Sequence, residues 1–192
     1  MIVGIPSLLA LESEITEAYG NLGLRALGFF VIHVGGMRYG IHEPSATMLA
    51  NSFDEVGRRI EERGRHTAPF AKALNAGEIA DGVSEALYSD CMDDTRFLDI
   101  SRSGLSRMVH SNHLLWAPDG DEAFDDGSYV LQFDVEDRVR LIAFRRVEGY
   151  RHDPTTLREI WIAESDFYDI LRQWHDEFEA EWAVRPKAPI DD

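Results

Sequence analysis

The chain holds a single cysteine, Cys91, among 192 residues. No intramolecular disulfide can form, and a structural zinc site built on thiolates is excluded. This usage suits a reducing compartment. Asp90 and Asp93 crowd the thiol and disfavour its thiolate, which makes Cys91 a poor nucleophile. Long apolar runs are missing too. None approaches the roughly 20 residues needed to span a bilayer. Met1 to Pro6 carries no basic leader, and Glu12, Glu14 and Glu17 follow, the reverse of a secretory signal's charge layout. The expectation is a cytoplasmic protein without a membrane partner. Signatures of chemistry are also absent. There is no GxGxxG and no P-loop, no GxSxG surrounds Ser103 or Ser106, and no HExxH occurs. The sequence implies no cofactor and no metal.

Base is the other scarcity. Only 19 lysines and arginines stand against 35 aspartates and glutamates, for a formal net charge of −16. That exceeds the magnitude of about 2 to 8 that keeps a small domain soluble. Self-repulsion of this size costs stability. It also repels phosphates, so no nucleic-acid partner is expected. A solubility charge and an acidic docking surface for a basic partner both fit.

What is present is globular. Hydrophobic residues make up 44% of the chain, enough to offset the entropy of ordering it. The length suits one domain over residues 1–192, with a short flexible tail from about residue 185. Pro186 and Pro189 stop any helix there.

Leu8, Leu11, Ile15 and Tyr19 fall at helical spacing and predict a helix. Leu27 to Val34 reads as a buried strand, Gly35-Gly36 as a tight hairpin turn, and Met37 to Ile41 as the return strand. Ala46 to Ala50 suits a further strand. Ser52 and Glu55 have the spacing of a capping box, and Gly64 is placed to end that helix. Pro69 can open a second helix, and Glu78 to Tyr88 a third. Arg96 to Ser101 alternates like a strand. Tyr129 to Val135 and Arg138 to Arg145 read as a hairpin, with Val130, Phe133 and Val135 facing Val139, Leu141 and Phe144. Leu157 to Ala163 follows, with Ile160 and Ile162 on one face. Residues 117–128 and 148–155 read as loops. Ser165 can cap a last helix to about Ala183. In it Phe167, Ile170, Leu171, Trp174, Phe178 and Trp182 form one apolar stripe, most simply a core face. The fold class is α+β: an antiparallel sheet with several helices packed on it, including a long amphipathic C-terminal helix.

The densest acid cluster is Asp119, Asp121, Glu122, Asp125 and Asp126, without a base among them. Its spacing does not match the alternating oxygen ligands of a calcium loop. It reads as a solvated loop or as a docking surface. Asp176, Glu177, Glu179 and Glu181 crowd the C-terminal half of the last helix, where the dipole disfavours acids. His110 and His113, three apart, could share a metal only with a third ligand placed by the fold. Two arginine groups, Arg58, Arg59, Arg63 and Arg65 and then Arg138, Arg140, Arg145 and Arg146, are expected to pair with acids inside the fold.

The two ends of the chain resemble immunity protein family 42 of bacterial polymorphic toxin systems. The likeness lies in Ile2-Val3-Gly4-Ile5-Pro6 followed by Leu8 to Ile15, and in Trp161-Ile162, Phe167-Tyr168, Leu171, Trp174, Glu177-Phe178 and Trp182. It spans nearly the whole chain. The resemblance implies a non-enzymatic protein that binds a cognate toxin domain and holds it inactive. Acidic immunity proteins often face basic toxins such as nucleases. On that reading the docking residues are Trp116 as an aromatic anchor, Asp119, Asp121, Glu122, Asp125 and Asp126 of the loop, and Asp176 and Glu179 of the last helix. Both a monomer and a dimer fit. Two other readings stand beside it. One is a hydrolase-type enzyme using His110 or His113 with a carboxylate. The other is a non-catalytic adaptor subunit with the aromatic stripe as its interface.

Overall fold

The computed structural model describes residues 1–90, 92, 95–118 and 120–189. The chain opens with strands β1 (Ile2–Ile5), β2 (Leu9–Tyr19), β3 (Ala26–Val34), β4 (Met37–Tyr39) and β5 (Thr47–Met48). Helices α1 (Ala50–Glu61) and α2 (Ala76–Tyr88) follow. A two-strand ribbon, β6 (Arg96–Phe97) and β7 (Ile100–Ser101), leads into α3 (Arg102–Ser111). Next come β8 (Leu115–Ala117), β9 (Ser128–Val135), β10 (Arg138–Val147), β11 (Arg151–His152) and β12 (Arg158–Ala163). The long helix α4 (Glu164–Val184) and the short strand β13 (Lys187–Ala188) close it.

Two mainly antiparallel sheets result. The first runs β1-β2-β3-β4, with β5 on β3 and β13 in parallel on the end of β2. The second runs β11-β10-β9-β8, with β12 also on the edge of β10 away from β9, pairing residues 138–143 while β11 pairs 146–147. Residues of β9 and β10 alternate between two cores. Val130, Val139, Leu141 and Ala143 point toward the first sheet, α1 and α4. Leu131, Phe133, Ile142 and Phe144 point toward α2 and α3. Covered on both faces, these strands read as nearly continuous apolar runs. The expected α+β class, its antiparallel sheets and its long C-terminal helix are what the chain adopts. Phe167, Leu171, Trp174 and Phe178 are wholly buried, so the stripe is core and not an adaptor interface. No helix among the described residues is long and apolar enough to cross a membrane.

Several local expectations are overturned. The helix expected from Leu8 to Tyr19 does not form: Leu8 lies in a turn, and Leu9–Tyr19 is the longest strand of the first sheet. Leu9, Leu11, Ser13 and Ile15 point inward with period two, and a register shift between Ile15 and Glu17 then turns Ala18 inward. Ser52 does not cap α1. Leu49 precedes that helix without a side-chain cap, Ser52 is buried within it, and Glu55 turns to Arg58 and Arg59 instead. The capping box that forms is Asn75 with Glu78 and opens the helix expected over Glu78 to Tyr88 at Ala76, whereas the separate helix expected from Pro69 does not form, residues 69–74 being turns and a bend. Ser165 lies inside the first turn of α4, whose N-cap is Ala163. The hairpin of β9 and β10 forms, yet Val130 shares a face with Val139 and Leu141, whereas Phe133 and Val135 share the other with Phe144. Helix α3 and strand β8 were not legible. Gly35 and Gly36 turn at φ +56° and +82° between β3 and β4, the geometry the hairpin requires.

Candidate functional site

A two-lobed cleft opens where α1 meets the chain just after β8. The α1 side presents Asn51, Asp54, Glu55 and Arg58, at i, i+3, i+4 and i+7 on one helix face. Phe53 and Val56 lie on the opposite, buried face and fix that orientation. Leu115, Trp116, Pro118 and Asp121 form the other wall of the first lobe, about 410 Å³. The second lobe, about 660 Å³, shares Asn51, Pro118 and Asp121 and continues to Leu24, Met48 and Glu122.

Trp116 forms the floor. It is only 3% exposed. Its ring meets Phe167 edge-on at 5.9 Å, and the Arg59 guanidinium lies 5.0 Å from its centroid. The indole Nε1–H has no acceptor among the described residues. An unpaired buried donor costs about 1–3 kcal/mol, and Arg59 Nη2 and His66 Nε2 are likewise buried without a hydrogen-bond partner among the described residues.

A buried polar network supports that floor. Arg59 is fully buried; Nε approaches Glu55 Oε1 at 2.8 Å, and Nη1 donates to Gln132 Oε1 at 2.9 Å and to the His113 carbonyl at 3.2 Å. Gln132 Nε2 donates to the Tyr168 hydroxyl at 3.1 Å, and that hydroxyl in turn meets Asp134. Burial pushes the Arg59 guanidinium down to about 9, which still leaves it charged near neutrality. Glu55 is thus engaged by Arg58 and Arg59.

The remaining carboxylates of the cleft are not so engaged. Asp54 is exposed, with Arg25 no closer than 4.0 Å. Burial raises the Asp121 carboxyl above its ordinary value; the Ala123 N–H it accepts works the other way, and Glu122 and Asp125 add repulsion. No cation pairs with Asp121, Glu122 or Asp125 among the described residues.

The structure brings Trp116, Asp121 and Glu122 together at the cleft. Asp119 lies outside the described residues, as do Cys91, Asp93 and Asp94. Asp125 is exposed. Asp126 turns away, accepting from the Ser128 N–H at 3.1 Å and from Arg145 Nε at 3.1 Å. Asp176 and Glu179 are exposed on α4. Between them and α1 sits His175, stacked on Phe53 at 3.9 Å and lowered by burial against the charges of Glu179, Asp176 and Asp54. His110 is exposed, with Nδ1 2.7 Å from the Ser106 carbonyl of its own helix. His113 Nε2 stands 3.5 Å from Glu62 in the seam between α3 and α1. Neither lines the cleft. Among the described residues no three histidine, cysteine or acidic side chains are grouped to hold a metal ion. Asn51, Asp54, Glu55 and Arg58 were missed by sequence reasoning. Their i, i+3, i+4, i+7 spacing was the available signal.

A family model described as immunity protein 42 matches residues 1–177. No curated protein matches the chain. Among solved structures, CdiI from Burkholderia dolosa superposes with a TM-score of 0.55 at 14% identity, covering 92% of this chain and 99% of that one. At that identity the likeness concerns the fold.

Proposed function

The chain belongs to the immunity protein 42 family, and from that premise we propose that it neutralises a cognate bacterial toxin domain by binding it one-to-one in the cytoplasm. It does so without chemistry of its own, by covering the toxin's working surface. The observation that carries the mode of binding is the run of acids along one side of the molecule that no cation approaches within 3.5 Å among the described residues. Asp121 and Glu122 lie at one end, Asp54 on α1 in the middle, and Asp176 and Glu179 of α4 at the other. Asp125 and Asp126 extend the acidic loop behind the cleft. A surface of this sign suits a basic toxin, of which a nuclease is the leading class, and steers its approach.

The test is co-expression with the toxin domain encoded beside the gene. Growth arrested by the toxin should be restored by this chain and by no unrelated immunity protein. Continued arrest while both proteins are made and folded sinks the reading.

A further inference from the structure

A strand at the edge of a sheet presents backbone groups that only water or another strand can satisfy. β1 is such an edge, since it pairs with β2 alone. Its ladder shows which groups face outward. The Ser13 N–H donates to the Met1 carbonyl at 2.9 Å. Bonded positions alternate along an antiparallel pair. Met1, Val3 and Ile5 therefore turn their backbone groups toward β2, and Ile2 and Gly4 turn theirs away from it. Both residues are exposed. No backbone hydrogen bond reaches either from another element among the described residues. Edges are ordinarily blunted by charge. On β12 this is done by Arg158 and Glu159, with Arg138 Nη2 donating to the Trp161 carbonyl at 3.0 Å. β1 carries no charged side chain, and none follows it before Glu12. Glu12, across from Ile2, is itself held by His33 Nε2 at 2.7 Å and His42 Nε2 at 3.1 Å. Apolar side chains stand out instead. Ile2 is 50% exposed, Ile5 61% and Leu8 40%, three of the seven exposed large hydrophobic side chains among the described residues. Exposed apolar surface is thus concentrated at this one hairpin.

We propose that β1 pairs antiparallel with β1 of a second copy of this chain, joining the first sheets of both into one. The register is self-complementary. With Ile2 opposite Gly4 of the second copy, and Gly4 opposite its Ile2, each pair exchanges both of its outward bonds about a two-fold axis. Gly4 leaves room for the isoleucine across from it. It holds φ +100°, where a side chain is strained, and a Cβ there would stand 2.4 Å from the Leu9 carbonyl oxygen. A strand of a basic toxin would meet the same backbone groups, yet β1 offers it no charge. An identical strand needs none. The rest of the molecule opposes the pairing, because two copies at −16 repel. A short strand pair is also a small contact, so the dimer is a weak one.

Sedimentation velocity from about 10 µM to 1 mM chain reads the association. The weight-average mass should climb from one chain toward two. It should climb more readily at about 0.5 M salt than at about 0.05 M, because salt screens the like charges. A contact between acids and bases would respond in the opposite sense. Ile2→Lys puts an edge-blunting residue on an exposed position and should weaken association about tenfold or more. It does so although the added base lowers the mutual repulsion. Val184→Lys, at the most exposed of the large apolar side chains, should associate like the wild type. Amide exchange of the unaltered chain should slow with rising concentration at Ile2 and Gly4, a readout that holds even if Ile2→Lys unfolds. A chain monomeric to 1 mM at high salt overturns the proposal. So does association that Ile2→Lys leaves intact, that Val184→Lys abolishes equally, or that leaves Ile2 and Gly4 unprotected. Protection at Ile2 and Gly4 that appears only with the toxin domain also overturns it and gives this edge to the toxin. The immunity reading is decided separately, by co-expression.

Discussion

Arg59 and His66 show how much of this molecule's interior is polar, and why each group keeps its state. Both are fully buried. Arg59 remains charged because Glu55, Gln132 and a backbone carbonyl surround it. His66 sits beside it with Nδ1 3.1 Å from the carbonyls of Asn112 and His113, which fixes the proton on that nitrogen. Burial lowers the imidazole, and the charge of Arg59 lowers it further. The folded value therefore lies below the ordinary 6.5. As pH falls past 6.5, the unfolded chain takes up the proton first. Stability is full above that pH and is lost below it, by up to about 1.4 kcal/mol per pH unit for one group. His113 and His175, also lowered by burial, act in the same direction. Urea midpoints between pH 7.5 and 5.5 should fall for the wild type and fall less steeply for His66→Gln. Equal slopes would mean that His66 is protonated in the fold.

At the scale of elements, β2 explains both what the sequence reveals and what it hides. Its alternation is plain once Ser13 is counted as an inward residue, and a serine gives no apolar signal. Ser13 belongs inside because the Trp174 indole donates to its hydroxyl at 3.1 Å. Trp174 itself sits at the centre of α4's buried face, edge-on to Phe30 at 5.0 Å and stacked on Phe178 at 5.1 Å. Trp174→Ala should cost about 3–5 kcal/mol. Ser13→Ala should cost about 0.5–1.5 kcal/mol or somewhat more, because it strands the indole donor. Chemical denaturation of both variants checks the pair; a Trp174→Ala loss within the range of a surface change would place that helix outside the core. The hairpin of β3 and β4, the pair β9 and β10, and α4 were legible because turn residues or a long apolar stripe mark them locally. Helix α3 was not, because only Leu105 and Val109 are buried on it. The cleft was half legible. Trp116, Asp121 and Glu122 stand out in composition. Their partners on α1 look like any solvated helix face until the tertiary fold sets them opposite Pro118 and Asp121.

For the whole molecule, the charge of −16 is less diffuse than the count suggests. Most arginines that clustered in the sequence hold acids of their own fold, as in Arg63 with Glu164 at 2.7 Å, Arg140 with Glu159 at 2.9 Å and Arg145 with Asp126 at 3.1 Å. Such pairs consume base and leave Asp54, Glu122, Asp176 and Glu179 facing solvent. The surplus therefore acts at a distance, where salt screens it. Between about 0.1 M and 1 M salt the screening length shrinks from about 10 Å to about 3 Å. The association rate constant with the toxin should drop about tenfold or more over that range while the dissociation rate constant stays nearly fixed. Position divides the acids further. Asp176→Asn with Glu179→Gln, outside the cleft, should slow association and leave dissociation unchanged. Asp54→Asn with Asp121→Asn, inside it, should chiefly speed dissociation, because a desolvated contact is lost. Stopped-flow traces at several salt concentrations read both constants. An association rate indifferent to salt would mean that capture depends on shape alone and that the acidic flank of α4 plays no part in it.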